Sequence, residues 1–171
     1  FGIGVSPWYE DFLATGERWE KRGKRMDEQI TILRGLMGGD YFGFKGDFYD
    51  IPDLKLCPVP SQPVPILIGG HSKLALKRAA KLGDGWISAG ISLEETKEFI
   101  DQINSYREEF GTLDHPNYQF QVMGEAAYSP DGVRALEDLG ATEVIVAFRN
   151  AYEGGPDERT LDSMKAEISW Y

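Results

Sequence analysis

Five short apolar segments in this chain are each followed by a longer amphipathic one, and that alternation decides the fold class. The strand candidates are residues 2–5, 65–69, 85–89, 118–126 and 143–148. Pro65-Ile66-Leu67-Ile68 and Val144-Ile145-Val146 are short, nearly continuous apolar runs. Parallel strands covered on both faces read that way, whereas a strand with one wet face alternates.

The intervening helices carry their own punctuation. Residues 17–37 place Trp19, Met26, Ile30, Leu33 and Met37 on one helical stripe, stopped by Gly38-Gly39. Residues 73–82 put Ala75, Ala79 and Leu82 on one face before Gly83. Residues 93–110 open with Ser92 and Glu95 in capping-box spacing. Their expected buried stripe is Phe99, Ile103, Tyr106 and Phe110, ending at Gly111. Residues 130–139 begin with Ser129-Pro130 and stop at Gly140. Residues 156–168 begin with Pro156-Asp157-Glu158, proline and acids where the helix dipole favours them.

Residues 40–64 break the rhythm. Tyr41 to Tyr49 reads as a small hairpin turning at Lys45-Gly46, and Pro58-Val59-Pro60-Ser61-Gln62-Pro63 holds too much proline for helix. The segment is an excursion between a helix and a strand.

Five strand–helix units form either an open sheet or part of a barrel. An open doubly wound sheet carries a glycine-rich turn after its first strand. Gly2 and Gly4 instead lie within the first strand and run into Ser6-Pro7-Trp8. A (β/α)₈ barrel takes ~250 residues, and five units in 171 residues are five-eighths of one. Three units are expected to be missing from the N-terminal side, since Phe1-Gly2-Ile3 reads as a strand already under way. Residues 1–171 are then the C-terminal part of a single domain.

Charge and cysteine narrow the class. The formal net charge is −10, which argues against a phosphate-backbone binder. No stretch approaches the ~20 apolar residues of a membrane span. Cys57 is the single cysteine, so no intrachain disulfide or cysteine-closed zinc site can form, and a cytoplasmic protein is expected. The two histidines, His71 and His115, lack metal-ligand spacing.

In a barrel, function collects where strands end. Gly69-Gly70-His71-Ser72 follows the second strand. Its glycines admit close backbone approach, and free N–H groups at the next helix start attract phosphate. A plain tight turn with Ser72 as cap is the competing reading. Val5-Ser6-Pro7-Trp8-Tyr9 follows the first strand and could line a planar ligand or simply pack a helix entry. Arg149-Asn150 follows the last strand and could meet an anion or a surface carboxylate. Arg18, Lys21, Arg22, Lys24 and Arg25 crowd a helix start, where cations oppose the dipole. Either an anion sits nearby, or Glu17 and Glu20 neutralise a solvated face. Asp84 and Trp86 begin a strand, so a structural role is expected of both.

Taken together, these pieces resemble the luciferase-like monooxygenase family, and within it the branch that uses the deazaflavin coenzyme F420. The resemblance rests on Gly2-Ile3-Gly4-Val5, Arg22-Gly23-Lys24-Arg25-Met26-Asp27-Glu28, Phe44-Lys45-Gly46-Asp47-Phe48-Tyr49, Pro65-Ile66-Leu67-Ile68-Gly69-Gly70 and Ala79-Ala80-Lys81-Leu82-Gly83-Asp84-Gly85-Trp86, in order. It implies a (β/α)₈ TIM barrel with an insertion, of which this chain is strand four through helix eight. It also implies a cofactor at the C-terminal mouth, with phosphate near Gly69, Gly70, His71 and Ser72, and further cofactor contacts near Ser6 and Arg22. Trp8, Arg149 and Asn150 are the expected substrate contacts. No catalytic residue is named, because by this resemblance the strands that furnish polar groups around the reacting ring are expected to be partly absent.

The chemistry so implied is hydride transfer between F420 and an organic substrate, the protein supplying position and electrostatics. The alternative within the family is an FMN-dependent monooxygenase served by a flavin reductase; a homodimer is the expected assembly in either case. Two further readings stand apart: a non-catalytic barrel fragment, and a phosphate-binding lyase or isomerase using Glu125 near the end of strand 118–126.

Overall fold

The computed structural model describes residues 1–146 and 160–169. Arg149 and Asn150 lie outside the described residues. Five parallel strands form one sheet in the order β1-β4-β5-β6-β7. They are β1 (Gly2–Ile3), β4 (Leu67–Gly69), β5 (Gly85–Ile87), β6 (Gln119–Val122) and β7 (Glu143–Val144). An antiparallel hairpin, β2 (Phe42–Lys45) with β3 (Asp50–Leu54), fills the predicted excursion.

The helices are α1 (Tyr9–Thr15), α2 (Arg22–Met37), α3 (Lys73–Leu82), α4 (Leu93–Phe110), α5 (Pro130–Asp138) and α6 (Leu161–Ile168). Among the described residues no helix is long and apolar enough to cross a membrane.

Alternation along the strands sorts the sheet into two faces. Ile3, Ile68, Trp86 and Phe120 are register partners and pack against the helices with Met26, Ile30, Leu76, Ala79, Ile100 and Ile103. Trp86 is fully buried there. The opposite face carries Leu67, Gly85 and Gln119 in one row and Gly69, Ile87, Gln121 and Glu143 in the next.

Several expected boundaries move. The 17–37 helix starts only at Arg22, after Lys21 adopts the left-handed conformation. Residues 9–15 form a helix that the sequence did not announce. Seven residues are too few for a periodicity test, and the sign was Gly16, whose φ of 69° closes the helix. The 118–126 strand stops at Val122, and Glu125, itself exposed, opens a 3₁₀ turn over Glu125–Tyr128 that buries Ala127. Glu125 stands past the strand end, in the loop between β6 and α5.

In α4 the buried positions are Thr96, Ile100, Ile103 and Arg107, so Ile103 is the one member of the expected stripe that is enclosed. Phe99, Tyr106 and Phe110 flank it half-buried. Arg107 lies over the Tyr118 ring at 3.9 Å and donates to the carbonyls of Thr112 and Leu113 at 3.2 and 3.0 Å. Its guanidinium thus closes the chain reversal after the helix, and its stem fills apolar space.

Candidate functional site

The turn after β4 is built from below. Gly70 sits at φ 115°, a region open to glycine, and a Cβ there would meet the Ala75 methyl at 3.0 Å. The Trp86 indole donates to the Gly70 carbonyl at 3.0 Å, so the core side chain of the next strand holds the turn in place. Ser72 caps α3, its Oγ accepting the Ala75 N–H at 3.3 Å. The first N–H groups of α3 have no acceptor within the helix and point out of its N-terminus.

Burial and a hydrogen bond both favour the neutral form of His71. Its Nε2 accepts the Ala89 N–H at 3.3 Å, which leaves the ring proton on Nδ1. The ring stacks on Phe99 with centroids 5.3 Å apart. Burial pushes its pKa below the ordinary 6.5, and the nearby Glu95 carboxylate opposes that only partly. The turn therefore offers glycine backbone, a helix N-terminus and an uncharged imidazole. That donor set suits a phosphate, and the missing Cβ at Gly70 keeps the approach open.

The other predicted residues go elsewhere. The Ser6 hydroxyl donates to Asp11 Oδ2 and accepts the Trp8 N–H at 3.1 Å, pinning the entry to α1. Trp8 is 54% exposed and precedes α1. Arg22 lies over the Trp19 ring at 3.5 Å, with its Nε buried and unpartnered. Of the cation run, Arg25 pairs with Glu17 at 2.9 Å, with the Arg25 side chain largely buried.

Ser6, Arg22, Arg25, Met26, Tyr49 and Ile51 share a cleft of ≈ 720 Å³ between β1, α1, α2 and the hairpin. Gly69 to Ser72 do not line it. The cleft follows the edge of β1, which among the described residues pairs with β4 alone. It is a strand-edge groove that adjoins the turn: a Cβ on Gly4, which lines it, would stand 3.6 Å from the Gly69 carbonyl oxygen. Ser6 and Arg22 line this groove, and Gly69–Ser72 neighbour it.

Asp84 takes the structural place expected of it. Its carboxylate accepts the Ile66 N–H at 2.7 Å, Arg34 at 2.8 Å and His115 Nε2 at 3.0 Å.

Glu28 was not singled out by its chemistry. Its carboxylate accepts the N–H groups of Asp47, Phe48 and Tyr49 at 2.7, 3.0 and 3.1 Å, fixing the hairpin turn to α2. A Cβ at Gly46 would strike that carboxylate at about 2.5 Å. The available signal was a turn glycine next to a run of unpaired N–H groups with no local side-chain acceptor.

Comparison with known proteins now decides the family. The family model described as luciferase-like monooxygenase matches residues 1–159. The chain belongs to the luciferase-like monooxygenase family. An uncharacterized protein of Mycobacterium tuberculosis is 47% identical over 95% of the chain, and the chain spans 55% of its length. An FMNH2-dependent dimethylsulfone monooxygenase of Pseudomonas fluorescens is 37% identical over 59% of the chain, which covers 29% of that protein. An F420-dependent glucose-6-phosphate dehydrogenase of Amycolatopsis mediterranei is 34% identical over 54% of the chain and 29% of its own length. The fold matches that of an F420-dependent secondary alcohol dehydrogenase, with TM-score 0.61 and 22% identity over 71% of the chain and 38% of that structure. Members of this family are oxidoreductases built on TIM barrels, and the parallel sheet here is of that kind.

Proposed function

We propose that the protein is an F420-dependent oxidoreductase. In this reading the chain supplies strands four to eight of the barrel, and Gly69, Gly70, His71 and Ser72 hold the cofactor phosphate. One observation carries it: the strand-end turn presents a helix N-terminus and a glycine at φ 115° whose added Cβ would crowd the Ala75 methyl at the start of that helix. The groove along β1 is then the seat of the preceding barrel strand. Ser6 orders the loop above it and Arg22 flanks it. Trp8, Arg149 and Asn150 are proposed substrate contacts.

The deazaflavin, when bound, supplies hydride exchange with an organic substrate. This chain binds and orients. Backbone N–H groups at the start of α3 meet the phosphate, and Ser72 holds that helix end in shape. His71 stays neutral beside it, so it positions by hydrogen bonding and stacking. The buried Trp86 fixes the carbonyl of Gly70 and with it the direction in which the turn opens.

The FMN-dependent monooxygenase reading draws its support from the P. fluorescens relative named above, an FMNH2-dependent dimethylsulfone monooxygenase. It needs a reductase partner to deliver reduced flavin. Fluorescence titration of the protein with F420 and with FMN separates the two. Tight F420 binding with weak FMN binding is expected; preference for FMN moves the protein to the monooxygenase side. Binding of neither withdraws the cofactor claim and leaves the fragment reading.

The variant for this site follows from the glycine geometry. Gly70→Asp adds charge at the turn, but it also strains a backbone at φ 115°. Gly69→Ala is cleaner, since its Cβ would meet its neighbours at an ordinary 3.5 Å.

A further inference from the structure

Gly69, Ile87, Gln121 and Glu143 are successive register partners across four parallel strands. They form one row on the sheet face turned away from the helices. Adjacent strands lie ~4.8 Å apart, so Gln121 stands roughly 10 Å and Glu143 roughly 15 Å along the sheet from Gly69. The row runs from a residue without a side chain, over an apolar one, to a polar pair.

That pair is bonded within itself. The Gln121 amide donates to Glu143 Oε2 at 2.6 Å. Among the described residues, the bond leaves one amide N–H, the amide carbonyl and one carboxylate oxygen of the pair uncommitted. Among the described residues, the ion pairs involve other carboxylates, and Glu143 has no cation against it. Glu143 is exposed and Gln121 half-buried.

The floor beside the row is bare. Gly2, Gly4 and Gly69 do not occupy the left-handed region, and a Cβ on each would find its nearest neighbour at 3.7, 3.6 and 3.5 Å. Neither backbone conformation nor local crowding demands glycine at these three positions. Their shared effect is to keep side chains off this part of the face.

We propose that Gln121 and Glu143 form the polar wall of the substrate site. They would accept a hydroxyl or amino group of an uncharged or cationic organic substrate and reject carboxylates. The inference rests on the cofactor turn proposed above, because a ligand anchored at Gly69–Ser72 and laid over Ile87 reaches this pair next. The acceptor-rich pair suits a donor group. An anionic substrate would set its charge against the unpaired Glu143 carboxylate. Besides offering its own carbonyl, Gln121 holds the Glu143 carboxylate in one orientation through their bond.

The test uses the cofactor-loaded protein and two matched probe sets: short secondary alcohols such as 2-propanol, and 2-hydroxy carboxylates such as lactate. Binding is read by ligand-observed NMR. Alcohols are expected to bind and the carboxylates not. Glu143→Gln should improve the carboxylate-to-alcohol ratio by roughly tenfold or more, the scale of one charged interaction. Gln121→Leu should weaken alcohol binding, and both variants should leave cofactor affinity within about twofold. Equal binding of both sets to the parent protein overturns the proposal, as does an unchanged ratio in Glu143→Gln. Absence of alcohol binding overturns it too. A loss of cofactor affinity with an unchanged ratio would assign the pair to the cofactor and refute the substrate role. Failure of the parent to bind either cofactor is a separate result, and it removes the turn assignment itself.

Discussion

At the N-terminal end of β4 and β5, one carboxylate is surrounded by donors. Asp84 takes the Ile66 N–H, Arg34 and His115, joining two strands, α2 and the loop before β6. At the C-terminal end of the same two strands, the Gly70–Ser72 turn has its carbonyl and hydroxyl engaged, while N–H groups at the start of α3 face outward. One end satisfies its polar groups internally, and the other presents donors. Both ends depend on β5: Asp84 immediately precedes it, and Trp86 lies within it. The division matches the rule that barrels are stabilised at one rim and do chemistry at the other.

Trp86→Ala breaks the division most severely. The ring is fully buried, and its indole is the donor that steadies Gly70. A loss of about 3–5 kcal/mol is expected, read as a lower midpoint in urea. Cofactor affinity should fall with it, because the turn loses its support. A stable Trp86→Ala protein that no longer turns over would instead place the ring in the reaction itself.

Asp84→Ala should cost about 2 kcal/mol, largely from leaving the buried Ile66 N–H and the Arg34 guanidinium short of an acceptor. Cofactor affinity is expected to stay level at a temperature where the variant is folded. If Asp84→Ala weakens cofactor binding as much as Trp86→Ala does, the two ends are coupled and the contrast drawn above is wrong.

Ser72→Ala removes a helix cap at the presenting end, which costs about 1 kcal/mol. Affinity for F420 or FMN should drop by more than that stability loss accounts for, since the frayed turn no longer aligns its N–H groups. Titration alongside a thermal melt checks both halves.

The parallel sheet and the turn at Gly69–Ser72 were legible because each has a local signature. Ile66-Leu67-Ile68 is an apolar run, and Gly69-Gly70 with Ser72 marks a tight turn and a cap. Asp84 and Trp86 were legible as structural from their place at a strand start. What escaped has no local signature. The acceptor for the hairpin turn is Glu28, about twenty residues away on α2, and only folding brings it there. Gln121 reads as an ordinary alternating polar residue until the register sets it beside Glu143 and in line with Gly69. Arg107 reads as a surface charge on a helix until its carbonyl partners and Tyr118 enclose it.

The smallest expected effect belongs to His71 and concerns pH. Its folded pKa lies below the ordinary 6.5, first because of burial. Protonation therefore favours the unfolded chain, and the contribution of the neutral ring is fully present above pH 6.5. It is lost as pH falls from there through the lowered folded value. The geometry gives the same sign, because a protonated Nε2 cannot accept the Ala89 N–H. Cofactor affinity should weaken over the same interval as the turn loosens, while the Asp84 end is untouched by this group. His71→Phe keeps a ring against Phe99 and removes the titration. Its stability and affinity should be flatter than the parent's between pH 7 and the acid limb. Parallel curves for the two proteins would mean that the acid sensitivity of the site comes from another group.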